Sequence, residues 1–390
     1  MAQHVLRSSL QRPDTLEWHS LRHYAPAAGE SMTQAYTALQ RLRDDSDAYW
    51  EAYVALIPLR SLTLCLPQHL NVEYALALTY TADGSIPQAL ESLERAIDVA
   101  QLLHDLPALV ELHYLAGAAS YMLTEFVDAL DHNVYGLTYL RALATSPNPV
   151  DPQFELDFLL RIAALKFELA HYREARDSLD EARAIRETWL PSSPLIAATI
   201  NWTHAQLNRW TGFAGNALHV GIATADVFRQ CGSSINAGRM CGIVADTALD
   251  LAETYASDAL SQARLTYLEV SRTYCKLAQS YARDANDSVG QSLARLTQIN
   301  WTRQTGRNRS TLAELEKVRK AAARSADPAL HGKVLTALAD EYAERGERES
   351  ARHCYLRAWR ELEERELRAI ADWTHRKFLR FEEMGTESAH

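Results

Sequence analysis

Four kinds of residue in this chain could do chemistry: a histidine pair, glycan-acceptor tripeptides, a run of cations and five thiols. His19 and His23, in HSLRH, stand one helical turn apart and could share a metal ion. No third ligand lies near them in sequence, so the pair reads as two surface histidines and no metal or other cofactor is expected. Asn201-Trp202-Thr203 and Asn300-Trp301-Thr302 sit in the repeated word INWT and match the acceptor pattern Asn-x-Thr, as Asn286-Asp287-Ser288 and Asn308-Arg309-Ser310 match Asn-x-Ser. The opening stretch MAQHVLRSSLQRPD has no apolar secretory block, which predicts a cytoplasmic protein and no glycosylation. Cys65, Cys231, Cys241, Cys275 and Cys354 are scattered, with no CxxC pair, and so suggest neither zinc nor a disulfide framework.

The cations between Arg303 and Arg324 include Arg307, Arg309, Lys317, Arg319 and Lys320. They offer an alternative function, a receptor for an anionic ligand or nucleic acid. The net charge of −10 argues against nucleic acid as the main partner. Glu361, Glu363, Glu364 and Glu366, interleaved with Arg360, Arg365 and Arg368, read as an exposed helix face laced by ion pairs. No GxxxxGK[ST], GxGxxG, HExxH or GxSxG occurs, and nothing sets an activated nucleophile beside a base. The expectation is therefore a protein that is not an enzyme.

The elements that must carry these residues are helices. Ala, Leu, Glu, Arg and Gln fill the intervals between only 15 glycines and 12 prolines, and period-two runs of β-branched residues are missing. No run is apolar enough to cross a membrane.

Self-similarity sets how the helices pack. YALALTYTADGSIPQALESLERAI places Leu76, Ala77, Tyr80, Gly84, Ala89, Leu93 and Ala96; TALADEYAERGERESARHCYLRA places Leu338, Ala339, Tyr342, Gly346, Ala351, Tyr355 and Ala358. The successive intervals are 1, 3, 4, 5, 4 and 3 in both. Small residues at 77 and 89 let two helices approach closely, and Gly84 ends the first in a conformation that side chains resist. Weaker copies put Gly117 and Ala129, Ala163, Ala175 and Ala182, then Ala205, Gly212 and Ala217 at small positions.

In this pattern the chain resembles the tetratricopeptide-repeat family, in a degenerate long-helix form similar to the sensor and adaptor arrays of bacterial regulators. The second-helix alanines Ala89, Ala129, Ala175 and Ala217 step by 40, 46 and 42 residues, against about 34 for the family. The resemblance implies an all-α, right-handed superhelical solenoid of seven or eight antiparallel helix hairpins. We divide the chain into an irregular segment at 1–30, the array at 31–361, and a capping helix with tail at 362–390. Turns are expected at TSPNPVD (145–151) and PSSP (191–194).

A concave groove that binds a protein or peptide partner is what the resemblance implies for function, as a scaffold, a sensor or a regulatory module for a separate effector. Its groove positions fall at Asn71, Tyr74 and Thr81, then Glu111, Tyr114 and Tyr121, then Asp157 and Phe167, then Trp202, Gln206 and Arg209. We take Asn71, Tyr74, Tyr114, Tyr121, Phe167, Trp202, Gln206 and Arg209 as the candidate binding residues, since aromatic and arginine side chains dominate binding hot spots. The competing role for these aromatics is packing between repeats, the role expected of Trp301 and Trp373. The family's carboxylate-clamp positions hold Tyr74, Leu78, Tyr114 and Ala118, so those positions do not predict capture of a free chain terminus. Exposed repeat ends would also allow a homo-oligomer.

Overall fold

The computed structural model describes residues 49–61, 65–144, 152–255, 262–306, 311–325 and 327–387, with Thr37 and Arg41. The expected irregular segment at 1–30, including His19 and His23, lies outside these residues, as does the 145–151 turn. Every regular element among the described residues is helical. The chain forms two compact units, Met1–Leu165 and Lys166–His390.

In the first unit α1 (Tyr49–Leu56) and a 3-10 turn (Ile57–Ser61) precede α2 (Leu66–Asp83), α3 (Ile86–Leu103), α4 (Leu106–Leu123) and α5 (Phe126–Ala144). Helix α6 (Pro152–Glu168) begins there, and its last residues, from Lys166, belong to the second unit. The second unit continues with α7 (Tyr172–Trp189), α8 (Pro194–Trp210), α9 (Ala214–Gln230), α10 (Ser234–Thr254) and α11 (Gln262–Asp284). It ends with α12 (Ser288–Gln304), α13 (Thr311–Ser325), α14 (Pro328–Glu344), α15 (Arg348–Glu363) and α16 (Arg368–Glu387). Among the described residues, helix hairpins α2/α3, α4/α5, α8/α9, α10/α11, α12/α13 and α14/α15 pack within the units. The fold is an all-α helical-repeat solenoid of the tetratricopeptide type.

Sequence dictates the two roles of the helices. The first helix of a hairpin is buried on nearly all sides; Leu109 to Ser120 of α4 are covered except Glu111 and Tyr114. The second carries one apolar stripe: in α3 it is Ile86, Ala89, Leu93, Ala96, Ile97 and Ala100. Ala77, Ala89, Ala129, Ala163, Ala175, Ala205, Ala217, Ala339 and Ala351 are all buried, where a larger side chain would push the helices apart. Gly84 ends α2 at φ 85°, as its place in the motif requires. Prolines in the first turns of α2, α3, α4, α8 and α14 occupy positions whose N–H has no helical partner. Asp105, Asp287 and Asp327 cap α4, α12 and α14 by accepting from backbone N–H groups of Ala108, Gly290 and Leu330. At the chain's end, Phe378 and Phe381 of α16 pack on Tyr355 of α15.

Candidate functional site

Within the second unit the first helices of successive hairpins pack side by side, α8 on α10, α10 on α12 and α12 on α14, and α16 packs on α14. Between them lies a cavity of about 130 Å³. Small residues line it, Gly238 and Gly242 of α10, Gly290 and Ala294 of α12, and Ala329 of α14; Gly238 and Gly290 are packed against Tyr281 and Asp287, whereas Gly242 faces open space. A Cβ on Gly242 would meet nothing within 4 Å. Phe167, Trp210, Ile243, Leu293 and Ile370 give apolar wall, and Glu168, Gln206, Arg209, Arg239, Asp246, Thr297 and Lys333 give polar groups.

Most of those polar groups tie one helix to the next. Arg209 Nε donates to Asp250 Oδ2 at 2.6 Å, and Arg209 Nη1 lies 3.5 Å from Asp246 Oδ2. Burial opposes the Arg209 charge, but Asp250 and Asp246 outweigh it and leave its pKa above the ordinary value. Asp246 also accepts from the Thr297 hydroxyl at 2.6 Å. Arg239 donates to both oxygens of Asp287, at 2.9 and 3.2 Å. Burial would push the Asp287 carboxyl up; Arg239 and the Gly290 N–H together hold it below its usual range. Glu168 has no such tie. Its Oε2 is buried without a hydrogen-bond partner among the described residues. Burial raises its carboxyl to about 7, against the nearby Lys333 charge and with help from Asp327.

Of the expected binding residues, Phe167, Gln206 and Arg209 meet at this cavity. Trp202 does not line it; its ring packs edge-on against Phe228 at 5.7 Å, within the apolar cluster that runs from α8 to α12. Trp210 instead supplies the aromatic wall, 6.3 Å from Phe167 and 6.2 Å from Trp373. The second INWT tryptophan, Trp301, is buried and donates from Nε1 to the Leu268 carbonyl at 2.8 Å.

Asn71, Tyr74, Tyr114 and Tyr121 stand in the first unit. Asn71 is buried, and the Tyr74 hydroxyl donates to the Glu111 carboxylate, both members of the expected groove. Burial, reinforced by the Glu111 charge, raises the Tyr74 pKa well above its ordinary value. Arg161 lies 3.6 Å over the Tyr114 ring, which also touches Phe154 and Phe158. Tyr121 is partly exposed and rests edge-on against Phe126 at 5.3 Å.

Sequence reasoning missed Glu168, Trp210, Arg239, Asp246 and Lys333. Glu168 and Trp210 each directly follow a residue that was picked, at the end of α6 and α8. The basic segment is largely neutralised where it is described. Arg303 meets Glu344, Glu341 and Asp340 at 2.5, 3.5 and 3.7 Å; Lys317 pairs with Glu314 at 2.8 Å and Arg319 with Glu316 at 2.9 Å. Arg307 and Arg309 lie outside the described residues. Among the described residues no group of three or more His, Cys, Asp or Glu is placed to hold a metal ion.

No protein-family model matches the chain, and no curated protein matches it by sequence. Solved structures do match. The apo quorum sensor NprR from B. thuringiensis is 16% identical, with a TM-score of 0.62 over 93% of this chain and 95% of its own. This chain is similar to it in fold. The Rap conjugation gene regulator of plasmid pLS20, solved with the Phr* peptide, is 11% identical, with a TM-score of 0.54 over 95% and 97%. Aspartyl phosphate phosphatase F from Bacillus subtilis is 10% identical, with a TM-score of 0.61 over 92% and 91%. A sensor, a regulator and a phosphatase share this one architecture, so fold alone does not decide between binding and catalysis here.

Proposed function

We propose that this chain is a non-enzymatic sensor that binds a peptide along the first helices of the second unit's hairpins. One residue of the peptide enters the cavity beside Gln206 and Arg209. The observation that carries the reading is the cavity itself: seven helices contribute to its wall, and Gly242 leaves space there that a side chain would fill. The Phr* peptide bound by the pLS20 regulator and the quorum-sensor role of NprR support a peptide signal over a nucleic acid or a metabolite phosphate.

Gly242→Leu provides the test, because its side chain would project into open space and occupy the cavity. An array of short peptides read by fluorescence anisotropy should yield binders of the wild type that the variant holds about tenfold or more weakly, the scale of one well-packed contact. Circular dichroism should show unchanged helicity. No peptide retained by the wild type, or equal binding by Gly242→Leu, refutes the reading.

A further inference from the structure

Arg209 and Arg239, at the cavity wall, each meet a carboxylate from a neighbouring helix. Two other charged groups on that wall do not. Glu168 Oε2 has no hydrogen-bond partner, and neither Glu168 nor Lys333 takes part in an ion pair among the described residues. The two are close enough for the Lys333 charge to act on the Glu168 carboxyl, but they do not close on each other. A charge at a confined site with neither a hydrogen bond nor a close ion pair is destabilising, which marks the two groups as open to a ligand.

One kind of ligand satisfies both groups at once. A lone cation would relieve Glu168 while facing Lys333, and a lone anion would do the reverse. A body carrying both charges suits the pair, provided it is small. The cavity measures about 130 Å³, and an apolar cavity of about 150 Å³ holds a benzene-sized guest. The walls beside the charges, Phe167, Trp210, Ile243 and Leu293, suit a compact, largely apolar body.

We propose that the cavity binds a single residue bearing both a free ammonium and a free carboxylate, the ammonium against Glu168 and the carboxylate against Lys333. This rests on the reading that the cavity is where ligand binds, and it names what enters. Two sources carry this chemistry: a free apolar amino acid, or the N-terminal residue of a peptide that begins with aspartate or glutamate.

Isothermal titration of the full chain separates them. One series is L-leucine, leucinamide and N-acetyl-leucine. The other is a short peptide amide beginning with glutamate, its N-acetylated form, and its glutamine-for-glutamate form. In one series the molecule with both charges should bind, and removing either charge should weaken it by about tenfold or more. Glu168→Gln should erase the preference for a free ammonium and keep that for a carboxylate; Lys333→Met should do the opposite. A folding defect would not produce that crossed pattern. Binding confined to the leucine series assigns a free amino acid, and binding confined to the glutamyl series assigns a peptide N-terminus. The proposal is overturned if no doubly charged probe binds, or if blocking either charge changes nothing. Short peptides excluded by Gly242→Leu but indifferent to their charges would overturn this inference while the peptide-sensor reading stands. If no peptide binds either, both fail together.

Discussion

At the scale of single residues, two buried titratable groups pull stability in opposite directions with pH. Glu168 has its folded pKa raised from 4.5 to about 7. The protein is therefore most favoured below the unfolded value and loses stability as pH rises through 7, by up to about 3 kcal/mol. Glu168→Gln should raise the melting temperature at mildly alkaline pH and make no difference near pH 4, even as it weakens ligand binding. A loss of stability in alkaline buffer would mean that the carboxylate has a partner in solution. His113 is the converse. Burial and the ring of His132, whose Nδ1 lies 3.0 Å from its own, lower its pKa from 6.5 to about 4. Stability from this neutral pair is present above pH 6.5 and is lost as pH falls toward 4, again by up to about 3 kcal/mol. An NMR titration should show His113 neutral down to about that pH; protonation near 6.5 would contradict it.

At the scale of elements, the turns between helices use one backbone device with mixed occupants. Gly84, Gly212, Gly232, Gly306 and Gly346 sit at positive φ, but so do His104, Thr124, Ala170, Asn286 and Glu366. A side chain in that region costs about 1–2 kcal/mol relative to glycine. Ala170→Gly should therefore stabilise the α6–α7 turn, and Gly84→Ala should destabilise the end of α2, each by about 1 kcal/mol in urea unfolding. No change at Ala170 would show that the turn relaxes around its methyl group. This explains what could be read in advance. The alanines and Gly84 declare close helix crossings and a left-handed turn by their residue type, so the hairpins and their register were legible. Thr124 and Ala170 do the same backbone work without the residue type that signals it. Trp202 and Trp210, eight residues apart on one helix, show a second limit: which aromatic faces the cavity depends on rotation within the longer repeat, which the motif does not specify.

At the scale of the molecule, what was not legible is what joins residues far apart in sequence. Glu168 and Lys333 come together only because the second unit's helices bring the end of α6 to α14. The same distance hides a ladder of charges linking first helices: Arg209 to Asp246 and Asp250, Arg239 to Asp287, Arg303 to Asp340, Glu341 and Glu344, and Lys377 to Asp340. In a repeat array each hairpin otherwise meets mainly its neighbours, so the rungs add coupling along the second unit. Arg303 is the rung with most at stake, because its side chain is only 12% exposed and faces three carboxylates. Arg303→Ala would leave Asp340 to Lys377 and Glu341 to Arg345. The remaining charge imbalance should cost about 3 kcal/mol, the low end for breaking a buried pair. Lys317→Ala, which removes an exposed pair, should change stability by less than about 0.5 kcal/mol. Hydrogen exchange of Arg303→Ala should show α12 and α14 losing protection first, while α2 to α4 keep theirs. A uniform loss across both units would mean that the array unfolds as one block, and the rungs would then matter for total stability but not for where the solenoid opens.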